Sequence, residues 1–149
     1  MMMYSSLRAI VGVFSAICVS SLLAEAIPDG FESTQFAGPD QTPSPAVIAA
    51  APSGEVFVGV DLQGSLGRKP GFGKIIRLVD KNADGKADQW TTFTKVDNPR
   101  GIISLGNKLI VLHSTVKDGK YDTQQISEFI DADHDGVADG PGRALVKNI

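Results

Sequence analysis

The chain has 149 residues and a formal net charge of −3, with 21% charged side chains and one cysteine. Its acidic residues concentrate in two short loops and no basic stripe is present, which argues against nucleic-acid binding. A single cysteine excludes an internal disulfide framework.

The first 26 residues have the organisation of a secretory signal peptide. Arg8 gives a positive start, residues 9–23 are an apolar run, and Ala24-Glu25-Ala26 fits a cleavage site before Ile27. The alternative, a membrane anchor, would need about 20 apolar residues. We therefore predict a periplasmic or secreted protein with no membrane span after cleavage. Since Cys18 lies in the predicted signal peptide, the exported chain has no thiol nucleophile and no c-type haem attachment motif.

The rest of the chain contains a repeat of about fifty residues. Unit one, residues 44–97, opens with "SPAVIAAAPSGEVFVGVD", and unit two, residues 98–149, opens with "NPRGIISLGNKLIVLH". Each unit has a proline start, an apolar run, a glycine turn and an alternating run, followed by a third run, an acidic loop and a fourth run. Residues 27–43 precede the repeat, and "GFESTQFA" at residues 30–37 lies where a closing strand would start.

This pattern predicts an all-β fold built from four-stranded antiparallel blades. Each unit has four runs of about four to seven residues separated by turn residues, and no segment has a helical period. Four strands repeated every ~40–50 residues are typical of a β-propeller blade, and a β-sandwich of the same strands is the alternative. Two blades cannot close a ring. We therefore expect either the N-terminal part of a longer protein, which we favour, or an assembly of several copies.

The two acidic loops have nearly the same sequence, "DKNADGKAD" at residues 80–88 (loop one) and "DADHDGVAD" at residues 131–139 (loop two). Both fit the pattern D-x-[DN]-x-[DN]-G, in which side-chain oxygens at positions 1, 3 and 5 and a backbone carbonyl at position 7 bind Ca²⁺. The candidate ligands are Asp80, Asn82, Asp84, the Lys86 carbonyl and Asp88 in loop one, and Asp131, Asp133, Asp135, the Val137 carbonyl and Asp139 in loop two.

Neither loop is an EF-hand, because Thr91 and Gly142 stand at position 12, where a bidentate Glu is required. Loop two has only His134 as a local cation, whereas Lys81 and Lys86 partly neutralise loop one. The sequence therefore predicts a structural calcium ion more strongly at loop two than at loop one. The alternative is that the Asp and Asn side chains only cap a tight turn by hydrogen bonding to the backbone.

The sequence resembles a group of exported bacterial propellers. The segments "IPDGFESTQFAGPDQTPSPAVIAAAPSGEVFVGVD", "GKIIRLVDKNADGKAD" and "NPRGIISLGNKLIVLH" are similar to the start of propellers of the membrane-bound dehydrogenase type, which are related to soluble quinoprotein glucose and sorbosone dehydrogenases. The resemblance implies a six-bladed propeller, of which about two blades are present here. It also implies pyrroloquinoline quinone as cofactor, oxidation of a sugar or related alcohol, and electron transfer to a cytochrome c domain.

Four residues are candidates for chemistry at the end of the blades opposite the acidic loops. Arg100 would clamp a carboxylate or carbonyl oxygen, and His113 would act as a general base. Asp61 and Arg68, on a long loop of unit one, would bind the substrate. The alternatives are a salt bridge for Arg100 and a purely hydrogen-bonding role for His113.

One departure from the family affects the catalytic assignment. The sugar dehydrogenases carry their catalytic His between the first and second strands of an early blade, whereas the corresponding loops here, "APSGE" and "SLGNK", have none. Two other functions therefore stay open. One is a non-catalytic, calcium-stabilised propeller that binds glycan or protein or scaffolds a cytochrome domain. The other is a truncated product without independent activity.

Overall fold

The computed structural model describes residues 27–62 and 69–149. The chain divides into two units, residues 1–33 and residues 34–149. In the described part of the first unit, the Phe31 N–H donates to the Pro28 carbonyl (3.1 Å) in a turn. The predicted signal peptide, residues 1–26, lies outside the described residues. Within the described ranges, no helix is long and apolar enough to cross a membrane.

The second unit consists of two four-stranded antiparallel sheets. Sheet 1 contains β1 (Pro45–Ala50), β2 (Val56–Asp61), β3 (Gly73–Val79) and β4 (Gln89–Thr94). Sheet 2 contains β5 (Asp97–Leu105), β6 (Lys108–Lys117), β7 (Lys120–Ile130) and β8 (Arg143–Val146). Strands that follow each other in sequence are neighbours in each sheet, and residues 27–62 and 69–149 include no helix. This confirms the all-β prediction and is consistent with two blades of a propeller-like fold.

The register of the two sheets shows that they are structural repeats. In sheet 1, β2 pairs with β3 at Val56–Leu78, Val58–Ile76 and Val60–Lys74. In sheet 2, β6 pairs with β7 at the equivalent positions, which are Leu109–Phe129, Val111–Ser127 and His113–Gln125. Each residue of sheet 1 can therefore be compared with a defined counterpart in sheet 2.

The main core lies between the two sheets. Sheet 1 contributes Phe57, Ile75 and Phe93, and sheet 2 contributes Ile102, Leu109, Val111 and Phe129. The rings of Phe57 and Phe93 meet edge to face, with centroids 5.3 Å apart. Because side chains alternate along a strand, the neighbouring residues Val58, Val60, Ile76 and Leu78 form a second cluster on the other face of sheet 1.

Residues 34–37 cover this second cluster. Phe36 and Ala37 pack against it, and the Ala87 N–H of loop one donates to the Phe36 carbonyl (2.8 Å). At the next repeat, the Ala138 N–H of loop two donates to the Phe93 carbonyl of β4, also at 2.8 Å. Residues 34–37 therefore lie against sheet 1 as β4 lies against sheet 2.

No strand forms in residues 27–43, where a closing strand was expected. A closing strand pairs with the strands of another blade, and the described residues form two sheets that already have four strands each. The closing role of this segment therefore stays a prediction.

Sheet 2 has longer strands than the sequence pattern predicted. β5, β6 and β7 have 9, 10 and 11 residues, against an expected four to seven. The β6–β7 hairpin extends to a Lys117–Lys120 pair, because Asp118 and Gly119 adopt positive φ angles of 51° and 71°. Positive φ at both central residues is the geometry of a tight two-residue hairpin turn, for which Asp-Gly is a favoured sequence.

Ion pairs at the loop end of the sheets have opposite polarity in the two repeats. In sheet 1, Glu55 beside β2 pairs with Arg77 of β3. In sheet 2, Lys108 of β6 pairs with Glu128 of β7 (3.4 Å), which also binds Arg143 (2.8 Å). Because Arg77 and Glu128 are equivalent in register, the sign of the charge is reversed.

Candidate calcium loops and inter-sheet cleft

Both acidic loops connect the third and fourth strands of their sheet. Loop one joins β3 to β4, and loop two joins β7 to β8, at the same end as the glycine turns. The Asp131 N–H donates to the Asn107 carbonyl of the neighbouring glycine turn (2.9 Å). The polar residues Asp61, Arg100 and His113 lie toward the opposite end of the strands.

Loop one is closed by hydrogen bonds from its own backbone. Asp80 Oδ1 accepts from the Ala83 N–H (2.7 Å), and its Oδ2 accepts from the Gly85 N–H (2.8 Å). Asp84 Oδ1 accepts from the Lys86 N–H (2.9 Å). These bonds are those expected of Asx turns.

The amide of Asn82 lies between two carboxylates of loop one. Its Nδ2 donates to Asp84 Oδ2 and to Asp88 Oδ1, each at 3.3 Å. Asp88 Oδ2 also accepts from the Lys81 N–H (2.8 Å). A neutral donor thus offsets part of the repulsion between the two acids.

Loop two has the same backbone turn but no such donor, because Asp133 replaces Asn82. Asp131 Oδ2 accepts from the Gly136 N–H (3.0 Å), as Asp80 does from Gly85. Asp131 is only 7% exposed, and its Oδ1 is buried without a hydrogen-bond partner. One carboxylate oxygen each of Asp131, Asp133 and Asp139 lie within 4.8 Å of one another.

The structure therefore brings together three of the predicted ligands. Asp135 lies outside the group, and its Oδ1 accepts from the Val137 N–H (2.7 Å). Loop one, all of whose residues are described, forms no such group. A ligand role for the Lys86 and Val137 carbonyls stays a prediction.

Loop two also packs against sheet 1. Thr91 Oγ1 donates to the Gly136 carbonyl (3.0 Å), and a Cβ on Gly136 would lie 2.6 Å from Arg77 Nη1. The guanidinium of Arg77 is held by Glu55. Loop two is therefore part of the contact between the two sheets.

At the opposite end, Asp61 and Arg100 link the two sheets. Arg100 Nη2 of β5 pairs with Asp61 Oδ2 at the end of β2 (3.2 Å), and Asp61 is 2% exposed. Arg100 Nη1 also donates to the Pro99 carbonyl (3.2 Å). This geometry is that of an inter-sheet salt bridge, so a substrate role for either side chain stays a prediction. Arg68 lies outside the described residues.

Asp97 organises the chain before β3. Its Oδ1 accepts from the backbone N–H groups of Gly71 (2.8 Å), Phe72 (3.2 Å) and Gly73 (3.3 Å). A carboxylate that accepts several backbone N–H groups holds a loop in one conformation. Asp97 therefore holds the residues that lead into β3 in one conformation.

His113 is buried and uses both ring nitrogens. Its Nδ1 lies 3.0 Å from the Ser114 carbonyl, which can only accept, so Nδ1 carries the proton. Nε2 then accepts from the Ser127 hydroxyl (2.9 Å). Burial lowers the pKa of His113 from its ordinary value of 6.5, against smaller raising effects of the Ser114 hydrogen bond and the Asp97 charge. The ring is therefore neutral near pH 7.

Two residues of this network, Ser127 and Gln125, were not predicted. Gln125 Nε2 donates to Ser127 Oγ (2.8 Å), which completes a chain to His113. Ser127 is fully buried, so the Ser–His contact is not an accessible nucleophile–base pair. The available signal was a serine in the third strand at the position where sheet 1 has the core residue Ile76.

A cleft of about 370 Å³ lies beside His113, between the end of sheet 1 and the face of sheet 2. Its polar lining includes Lys95, Asp97, Ser114, Thr115 and Gln125. Hydroxyl, amide and charged groups in one cleft can donate and accept hydrogen bonds to a small polar ligand.

Comparisons with known proteins give a family without an assigned activity. No curated protein and no solved structure matches the chain. The family model described as "Domain of unknown function (DUF7133)" matches residues 20–144, which include both acidic loops, sheet 1, and sheet 2 as far as the second residue of β8. The chain therefore belongs to the DUF7133 family.

Proposed function

We propose that the chain is a binding part of an exported β-propeller and that the cleft beside His113 holds a small polyhydroxylated ligand, such as the end of a glycan. The lining of the cleft is the observation that supports this proposal, because it combines the hydroxyls of Ser114 and Thr115, the amide of Gln125 and the charges of Lys95 and Asp97. The hydroxyls, the amide and the carboxylate already make hydrogen bonds within the protein, so a ligand would share them with those partners. Sugar hydroxyls donate and accept hydrogen bonds, and such a lining complements both properties.

The contacts of the candidate catalytic residues favour binding over chemistry. His113 has both nitrogens engaged, and Arg100 pairs with Asp61. A general base has to reach a substrate proton directly or through one water. His113 Nε2 could do so only after its hydrogen bond with the Ser127 hydroxyl is broken.

The proposal is tested by screening the protein against immobilised glycans and measuring the affinity of any ligand by calorimetry. Lys95→Ala and Thr115→Val should each weaken binding about tenfold, the loss of a typical hydrogen bond to a charged or polar partner. Lys81→Ala, in loop one, removes the same charge outside the cleft and should leave the affinity unchanged. Binding that both cleft variants leave unaltered, or no glycan binding at all, would reject the proposal.

A second candidate is part of a quinoprotein-like dehydrogenase that oxidises a sugar or alcohol and passes electrons to a cytochrome. The neutral His113 beside the cleft favours it, because a neutral imidazole can accept a proton. One contact counts against it, because the quinone carries carboxylates and Arg100, the cation predicted to clamp such a group, pairs with Asp61.

One assay distinguishes the two candidate functions. The protein is incubated with pyrroloquinoline quinone and calcium, and sugar-dependent reduction of a dye is followed. A rate that requires the quinone and is lost in His113→Gln would favour the dehydrogenase, whereas glycan binding without dye reduction would favour the binding role. Export itself is checked by N-terminal sequencing of the secreted form, which should begin at Ile27.

A further inference from the structure

Loop two contains a buried carboxylate oxygen that nothing in the described residues satisfies. Asp131 is only 7% exposed, and its buried Oδ1 makes no hydrogen bond. An unpaired buried oxygen of a charged group is costly, and native proteins pair such atoms with a donor, a water molecule or a cation. One oxygen each of Asp133 and Asp139 lies within 4.8 Å of an oxygen of Asp131. These two carboxylates repel the negative charge of Asp131 and donate no hydrogen bond to it.

Loop one shows how the same turn is satisfied by its own atoms, because Asp80 Oδ1, the counterpart of Asp131 Oδ1, accepts from the backbone N–H groups of Ala83 (2.7 Å) and Asp84 (3.3 Å). There the Asn82 amide donates to Asp84 and Asp88, and both oxygens of Asp80 accept backbone N–H groups. Loop two keeps the turn but replaces this amide with the Asp133 carboxylate, which removes a donor and adds a negative charge. Arg77 does not replace the amide: within the described residues it pairs with Glu55 and makes no hydrogen bond or ion pair with an acid of loop two.

We propose that loop two binds one Ca²⁺ through Asp131, Asp133 and Asp139, with backbone carbonyls and water as further ligands, and that loop one does not need an ion. Carboxylate and carbonyl oxygens in an irregular loop suit Ca²⁺, which accepts variable coordination, better than Mg²⁺, which requires a regular octahedron. Three acidic ligands on an open loop correspond to extracellular-type affinities of roughly 10⁻⁴ to 10⁻³ M.

The first measurement is a calcium titration of the protein by calorimetry, with thermal melts at about 10 mM calcium and with chelator at matched ionic strength. One bound ion per chain and a rise in melting temperature of about 5 °C or more are expected, with a smaller rise in magnesium. No bound ion, or equal shifts in calcium and magnesium, would overturn the proposal.

The second measurement exchanges the distinguishing residue between the loops. Asp133→Asn gives loop two the residue of loop one and should weaken calcium binding at least about tenfold, while the melt with chelator stays at or above that of the wild type. Asp122→Asn, on the exposed part of β7, removes the same charge elsewhere and should leave calcium binding unchanged. Asn82→Asp should create a second calcium site in loop one.

The variants also show whether the ion is bound at loop two. Wild-type calcium binding that survives Asp133→Asn, or that falls equally in Asp122→Asn, would show that the ion lies elsewhere or is held by net charge alone. If Asp133→Asn does not fold even with chelator, the titration of the wild type and of Asn82→Asp decides: one ion rising to two supports the site, and no ion in either excludes it.

Discussion

The two acidic loops share a backbone turn but differ in how their charges are balanced. Loop one distributes its carboxylates over backbone N–H groups and the Asn82 amide, so that its own atoms satisfy it. Loop two brings one carboxylate oxygen each of Asp131, Asp133 and Asp139 within 4.8 Å of one another, and Asp131 Oδ1 is buried without a hydrogen-bond partner. The residue at position 3 thus separates a turn in which an amide bridges two acids from a turn in which a third acid takes the place of that amide.

The surfaces under the two loops differ as well. Loop two rests on β4, a full strand, whereas loop one rests on residues 34–37, which form no strand. Both contacts use an alanine N–H and a phenylalanine carbonyl, Ala138 with Phe93 and Ala87 with Phe36. The same loop can therefore be supported by a sheet or by a short segment that forms no strand.

The largest difference is expected for the two phenylalanines that support the loops. Phe93 is 1% exposed and packs against Phe57, so Phe93→Ala should lower the free energy of unfolding by about 3–5 kcal/mol. Phe36 is only half-buried, and Phe36→Ala should cost about 1–2 kcal/mol. Urea denaturation measures both, with the exposed Ile103→Ala as control. Equal costs would mean that residues 34–37 support sheet 1 as firmly as β4 supports sheet 2.

An intermediate effect is expected at the glycine of each loop. Gly85 and Gly136 have φ angles of 82° and 89°, so alanine at either position is strained by about 1–2 kcal/mol. Gly136→Ala should cost about 1 kcal/mol more, because its Cβ would displace Arg77 and weaken the pair with Glu55. The same denaturation experiment compares the two variants. A larger cost at Gly85 would contradict the described packing of loop two on sheet 1.

The smallest effect concerns a core position that holds a titratable side chain in sheet 2 and an apolar one in sheet 1. His113 occupies the register position of Val60, and burial lowers its pKa below 6.5. As the pH falls through 6.5, the unfolded state takes up the proton first, so stability should decline until the pH passes below the folded-state pKa. Unfolding measured between about pH 7.5 and about pH 5.5 should show a smaller decline in His113→Gln than in the wild type. An identical decline in both proteins would assign the acid sensitivity to other groups.

Much of the fold could be predicted because the repeat is visible in the sequence. Alternating runs such as "EVFVGV" and the glycine turns gave the order of the strands, and the pleat then determines which residues enter the core. The length of the β6–β7 hairpin could not be obtained from apolar alternation, because residues 114–125 are mostly polar and only the Asp118-Gly119 turn indicates that the strands continue.

The sites could be predicted only in part. The spacing of acids in the loops identified candidate ligands, but it does not reveal that Asp135 lies outside the three-carboxylate group, which depends on the three-dimensional course of the loop. The partners of His113 depend on the pairing of β6 with β7, which places Ser127 and Gln125 beside it. The pairing of residues on two strands is set when the sheet forms, so no local sequence motif predicts it.

The reversed polarity of the two ion pairs affects how the chain avoids misfolding. Neighbouring repeats of similar sequence can exchange strands, a common error of repeat proteins. If β2 paired with β7 in the equivalent register, Glu55 would meet Glu128, and if β6 paired with β3, Lys108 would meet Arg77. Like charges across a strand pair are destabilising. The pairs Glu55–Arg77 and Lys108–Glu128 therefore disfavour pairing of the second strand of one repeat with the third strand of the other.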